Sequence, residues 1–238
     1  MYLYLGHNWG IAAILTVVFA GLARWLRGVT WSGAIAGAAI CFLLYTGGGP
    51  GAFAALITVF VLAWSTTKVG YQRKQKLGTA EKKEGRTAAQ VCANLSVAAI
   101  CCATHFRYPQ NSVLLLAAAS ALAEAAADTV SSEIGQISGK ARLITTGEAV
   151  SAGIDGGVSL TGTIAGTIAA ALVATVSVIT HLISWNWFGL CLAAAIVGMF
   201  ADSLLGAAFE RRGWLNNNTV NFFGTLIAAI AGSLFCYI

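Results

Sequence analysis

A chain of 238 residues that is 58% hydrophobic and only 10% charged, with a mean hydropathy of +0.76, excludes a soluble globular protein, in which charged residues make up roughly 25%. The net charge of +5 does not indicate a nucleic-acid partner, because the basic residues fall between apolar segments instead of covering a polar surface. The remaining class is all-α, a polytopic transmembrane helical bundle that occupies residues 1–238 as one integral membrane domain surrounded by lipid.

A helix needs ~20 apolar residues to cross a bilayer. About eight segments qualify: 8–26, 31–46, 51–68, 88–106, 111–133, 157–183, 187–208 and 217–238. Met1 to Trp9 carries no Lys or Arg, and the first basic residues, Arg24 and Arg27, follow the first apolar run. That order predicts a retained anchor with a translocated N-terminus instead of a cleaved signal peptide. The second and third segments are short and are separated by Gly47-Gly48-Gly49-Pro50-Gly51, which reads as a tight hairpin or a re-entrant pair. Gly33-x3-Gly37 and Gly162-x3-Gly166 have the spacing of close helix packing. The cysteines at 41, 92, 101, 102, 191 and 236 lie in apolar runs without metal-ligand spacing and read as small buried hydrophobes.

With eight spans, the connections near 27–30, 69–87, 134–156 and 209–216 share one side, and that side collects every one of the 14 basic residues except Arg107. The positive-inside rule makes it cytoplasmic and places both termini on the opposite side. Neutral polar residues gather there too: Gln90 and Asn94 open the fourth span, Ser159 the sixth, and Asn221 the eighth. A polar cavity open to the cytoplasm above a greasy floor is the expectation.

The fifth segment ends in carboxylates. Glu124 and Asp128 are four residues apart and share one helix face, which Ser131 and Ser132 continue. Burying a carboxylate in hydrocarbon costs at least ~2.5 kcal/mol, so this pair marks a site facing a protein interior or water. Glu133 reads equally as a helix-end carboxylate in headgroup water.

Carboxylates opposite Lys and Arg suit Mg²⁺ with phosphate, since the hard ion takes oxygen ligands and bridges to substrate. Asp128 and Asp202 are the metal candidates, with Glu133 as a further ligand. For Asp202 the alternative is a helix-end charge paired with Arg211 or Arg212. Lys68 and Arg86 stand at helix mouths and are assigned, with Asn94, to catalysis. Lys74 and Lys76 sit mid-connection and are expected to be solvated. Gly135 to Ala141 is not a P-loop, because its glycine spacing is one short and no Ser or Thr follows Lys140. Gly153-Ile154-Asp155-Gly156-Gly157-Val158-Ser159 reads equally as an anion-binding helix start or a flexible turn into the helix. His7, His105 and His181 fall near outer span ends and are expected to be interfacial.

Several of these segments together resemble the membrane family of eukaryotic transmembrane protein 19 and the plant chloroplast phytyl-phosphate kinase. The matching pieces are Thr67-Lys68, Glu81-Lys82, Gly85-Arg86, Gln90-Val91, Ala93-Asn94, Asp128 through Gly135, Ile144-Thr145-Thr146, Gly156 to Ser159 with Gly162-Thr163, and Asp202-Ser203 with Gly206. Ile154 departs from the pattern, standing where a polar residue is expected. The resemblance implies a kinase that converts an isoprenoid monophosphate to its diphosphate with a nucleoside triphosphate, typically CTP, and Mg²⁺. Glu124, Gln90, Ser132, Lys140, Arg142, Asp155, Gly156, Gly157, Ser159, Asn221 and Arg211 would then contact substrate or nucleotide. The competing reading is an ion-coupled transporter that uses the intramembrane carboxylates.

Overall fold

A computed structural model describes residues 9–236. Eight helices follow in order: α1 (Trp9–Trp25), α2 (Trp31–Lys68), α3 (Tyr71–Leu77), α4 (Ala88–Arg107), α5 (Val113–Ser138), α6 (Leu160–Ile179), α7 (Phe188–Leu205) and α8 (Asn217–Phe235). Six of them (α2, α4, α5, α6, α7 and α8, counting α7 with its flanking turns) are long and apolar enough to cross a membrane, and α1 is apolar but only 17 residues long. This is an all-α polytopic bundle. The expectations for His7, for the first residues and for the two chain ends fall outside the described residues.

α2 resolves the glycine-rich turn. A straight helix of its 38 residues would be about 57 Å long. Instead Gly49 adopts φ 66° and ψ −161°, a conformation open to a residue without Cβ, and Pro50 starts the next arm, where its missing N–H is harmless. The chain reverses there. Trp64 Nε1 donates to the Leu26 carbonyl at 3.1 Å, and the Tyr45 and Phe53 rings lie 6.1 Å apart. The two short apolar segments are thus the arms of one helical hairpin.

α5 is the central element and packs against α2, α4, α6, α7 and α8. Its buried run from Leu116 to Ala127 is built mostly of alanine, so neighbouring backbones come close. α6 answers with glycines: a Cβ on Gly162 would lie 2.6 Å from the Ser131 carbonyl oxygen, and one on Gly166 2.7 Å from that of Ala127. Gly33 serves another contact, since its added Cβ would lie 2.3 Å from the Arg86 carbonyl oxygen, on a loop and not on a helix.

The connections differ from expectation in two places. α3 is an extra short helix within the 69–87 connection. Residues 139–158 hold a three-stranded antiparallel sheet of order β2-β1-β3, formed by β1 (Ala141–Leu143), β2 (Ala149–Val150) and β3 (Gly157–Val158). A loop between membrane helices gave no periodic signal for strands two or three residues long. The sixth helix consequently begins at Leu160, three residues later than expected, capped by Ser159 Oγ, which accepts from Gly162 N at 3.1 Å. The segment before α6 is therefore a turn through Gly156 that runs into the two-residue strand Gly157–Val158.

Candidate functional site

Arg86 is fixed by its backbone before its side chain does anything. Its N–H donates to the Gly28 carbonyl at 3.0 Å and its carbonyl accepts from Thr30 N at 2.9 Å, a parallel bridge that ties the α4 approach to the turn between α1 and α2. Thr87 then caps α4 in a capping box with Gln90. Gln90 Nε2 donates to Glu81 at 2.9 Å, Asn94 Nδ2 donates to the Gln90 carbonyl at 2.9 Å, and Asn221 Nδ2 donates to Asn94 Oδ1 at 3.4 Å. The opening turns of α4 and α8 thereby present a connected row of amides.

Opposite that row stand the carboxylates. Asp128 and Asp202, from α5 and α7, share one cavity lining with Arg86, whose guanidinium donates to Thr129 Oγ1, next to Asp128, at 3.5 Å. Asp202 Oδ2 and Glu124 Oε1 are buried with no hydrogen-bond partner. Both face Gly224 of α8: a Cβ there would lie 2.7 Å from Glu124 Oε1 and 3.2 Å from Asp202 Oδ2. Buried polar atoms are rarely left unpartnered, and of these two residues Asp202 also lines the neighbouring cavity.

Arg86, Gln90, Asn94, Asp128, Asp202 and Asn221 surround a cavity of 490 Å³, within the ~300–1,000 Å³ range of small-molecule sites. Gly78 to Lys82 closes one side, the Ile154–Ser159 segment another, and Ser131, Ser132, Gln136 and Glu210 complete the wall. A second, apolar groove of 320 Å³ lies between α1, the arms of α2 and α4, and shares Glu81, Lys82, Arg86, Gln90 and Asn94 with the polar cavity.

Of the residues singled out in the sequence, the cavity brings together Asp128, Glu133, Arg86, Asn94, Gln90, Ser132, Asp155, Gly156, Gly157, Ser159, Asp202 and Asn221. Others are placed elsewhere. Glu124 is 1% exposed and lies beneath the cavity, not on its wall. Lys68 does not reach the carboxylates: its Nζ sits 3.4 Å from the centroid of the Trp64 ring, on the rim of the apolar groove. Arg142 points outward from β1 and donates to the Gly147 carbonyl at 2.7 Å. Lys140 and Arg211 are exposed and outside the lining. Asp202 is not paired with Arg211 or Arg212; among the described residues the only ion pair is Lys74 with Glu133.

That pair corrects two expectations. Lys74 is fully buried, not solvated, and Glu133 accepts from Lys74 Nζ at 2.5 Å and from Thr67 Oγ1 at 2.8 Å. Lys74 Nζ also donates to the Thr66 and Thr67 carbonyls at 2.8 and 3.3 Å, so its three protons cap the end of α2. Glu133, held by this cation, is not available as a metal ligand beside Asp128 and Asp202. Among the described residues no three His, Cys, Asp or Glu side chains form a ligand cluster.

Glu210 is the wall residue that sequence reasoning passed over. Eight residues separate it from Asp202, and in a regular α-helix that spacing overshoots two turns by ~80°. Residues Gly206–Glu210 form a π turn, which absorbs one extra residue and returns Glu210 to the Asp202 face.

Comparison with known proteins places the chain. The family described as Integral membrane protein DUF92 matches residues 14–229. This protein belongs to that family. Among relatives, an uncharacterized membrane protein of Methanocaldococcus jannaschii is 33% identical over 236 residues, covering 94% of this chain and 92% of its own. Protein VTE6, chloroplastic, from Arabidopsis thaliana is 30% identical over 233 residues, covering 94% of this chain and 70% of its own. Protein PGR of the same plant is 28% identical over 250 residues, with 93% and 86% covered. No solved structure matches. DUF92 membership makes this an integral, multi-pass membrane protein with relatives in an archaeon, a cyanobacterium and a plant.

Proposed function

We propose that this protein is a membrane-embedded kinase that transfers the γ-phosphoryl group of a nucleoside triphosphate, typically CTP, to an isoprenoid monophosphate. The observation that carries the reading is the presence of Asp128, Asp202 and Arg86 on the lining of one polar cavity of 490 Å³. The resemblance to the plant phytyl-phosphate kinase supports it from the side of sequence.

The donor set fits Mg²⁺. Two carboxylates close together with an unpartnered Asp202 Oδ2 match an ion that takes one or two protein carboxylates and fills its other positions with water and substrate phosphate. Asp128 and Asp202 would hold it, and when bound it supplies neutralisation of the nucleotide's phosphate charge. The chain's own groups do the rest. An oxygen of the acceptor monophosphate forms the new P–O bond as the bond between the β,γ-bridging oxygen and the γ-phosphorus breaks, yielding the isoprenoid diphosphate and a nucleoside diphosphate. That attacking oxygen is already ionised, so no general base is needed. Arg86 offsets the like charges of the two phosphates as they approach. Gln90, Asn94 and Asn221 offer amide groups along the same wall, and Thr79 donates to Gln136 at 2.8 Å to hold the opposite one.

The decisive assay incubates purified protein with phytyl or geranylgeranyl monophosphate, Mg²⁺ and each nucleoside triphosphate in turn. Conversion to the diphosphate is expected, fastest with CTP. No diphosphate with any nucleotide ends the kinase reading.

On this reading the cavity faces the cytoplasm of a prokaryotic cell, and the basic residues of the connections at its end of the bundle support that side. Both chain ends then lie on the other side. A reporter fused after Ile238 should be active outside the cytoplasm, and a cytoplasmic signal would invert this assignment.

A further inference from the structure

We infer that the apolar groove between α1, α2 and α4 holds the tail of the isoprenoid substrate, and that Arg86 at its rim holds the substrate phosphate. The inference rests on the kinase reading for the identity of the phosphate, and on the groove itself for the tail.

The groove and the polar cavity are neighbours that meet at a shared rim of Arg86, Gln90 and Asn94. A phosphoryl transfer between a lipid and a nucleotide needs this arrangement, because the two ligands differ in solubility yet must bring phosphates into contact. The groove wall is Phe19, Leu56, Phe60, Trp64 and Val91, all apolar. Its mouth is basic: Arg27, Lys68, Lys82 and Lys83 line it beside Arg86, the charge complement of a phosphate monoester at the end of a hydrocarbon chain. A slot of 320 Å³ has room for the leading part of one chain and not for the paired chains of a diacyl lipid, the rest of a long tail lying in the membrane. Its outer wall, α1, packs on α2, leaving the groove at the margin of the bundle, where a tail can slide in from the membrane.

The polar cavity then belongs to the nucleotide. Its far wall, from Ile154 to Ser159 and Gln136, is apart from the groove, so the two ligands approach Arg86 from opposite sides.

The test maps binding without requiring turnover. Farnesyl monophosphate carrying a terminal diazirine is photolysed with purified full-length protein, and labelled residues are read by mass spectrometry. Labels on the groove faces of α1, α2 and α4 are expected, displaced by unlabelled geranylgeranyl monophosphate and not by phosphatidic acid. Gly37 provides a plug, since a Cβ there meets only Val91 Cγ1, at 3.9 Å. Gly37→Leu should cut groove labelling at least ten-fold, whereas Ala39→Leu, on an exposed part of the same arm, should not. Labels on the outward faces of α6 or α8, displacement by phosphatidic acid alone, or undiminished labelling in Gly37→Leu would each overturn the inference. Because labelling is independent of the phosphoryl transfer, groove labelling in a protein without kinase activity would sustain the tail site while removing the kinase reading.

Discussion

Asp128→Asn and Asp202→Asn should each lower turnover at least about 1,000-fold, equivalent to about 4 kcal/mol of transition-state stabilisation, while leaving a folded protein that extracts normally. Asn keeps the size of the side chain and one oxygen but removes the charge that would hold the cation. Stability should move the other way. Two neighbouring carboxyl groups in a buried site are costly to ionise together, so replacing one by an amide relieves the fold in metal-free buffer. The paired measurement is turnover beside thermal denaturation with and without Mg²⁺. The wild type should gain stability from Mg²⁺ and neither variant should. Near-normal turnover in either variant would remove that residue from the site.

The largest effect on stability is expected at Lys74. Removing one member of a buried pair leaves the other charge uncompensated, at a cost of about 3–5 kcal/mol. Lys74→Ala would also leave the last carbonyls of α2, at Thr66 and Thr67, without their donor. Thermal unfolding in detergent should therefore show a large loss for Lys74→Ala and almost none for the exposed Lys76→Ala. The double change Lys74→Met, Glu133→Gln should recover most of the loss, since it buries no lone charge. Equal behaviour of Lys74→Ala and Lys76→Ala would show that the buried pair contributes nothing.

Much of the bundle was legible because apolar runs between basic connections admit few arrangements in a membrane. The Gly47–Gly51 turn announced a reversal but not its form, which depends on the single left-handed residue Gly49. The carboxylates of α5 and α7 were legible for the same reason that they are costly. Among the cations only Arg86 was legible. Arg73, Lys74 and Lys76 are indistinguishable in a basic run, and only the short helix between Gly70 and Gly78 turns Lys74 inward. Arg142 looked like a phosphate ligand, yet strand alternation in β1 buries Ala141 and Leu143 and sends the residue between them to solvent. Lys68 sits one helix end away from the carboxylates, but an aromatic ring takes its ammonium group.

The alanine-built centre of α5 sets a rule for how this sequence can drift. Its residues from Ala117 to Ala127 contribute little hydrophobic area of their own, and cohesion comes from how closely five other helices approach. The limit at these positions is one of girth: a larger side chain, however greasy, would wedge neighbours apart and pull Asp202 and Gly224 away from Glu124. The outward faces of the same neighbours, where Ile164, Ile168 and Ile230 meet lipid, carry no such ceiling. Variation can therefore accumulate around the rim of the bundle while its axis stays thin, and the geometry of the site is inherited through that thinness.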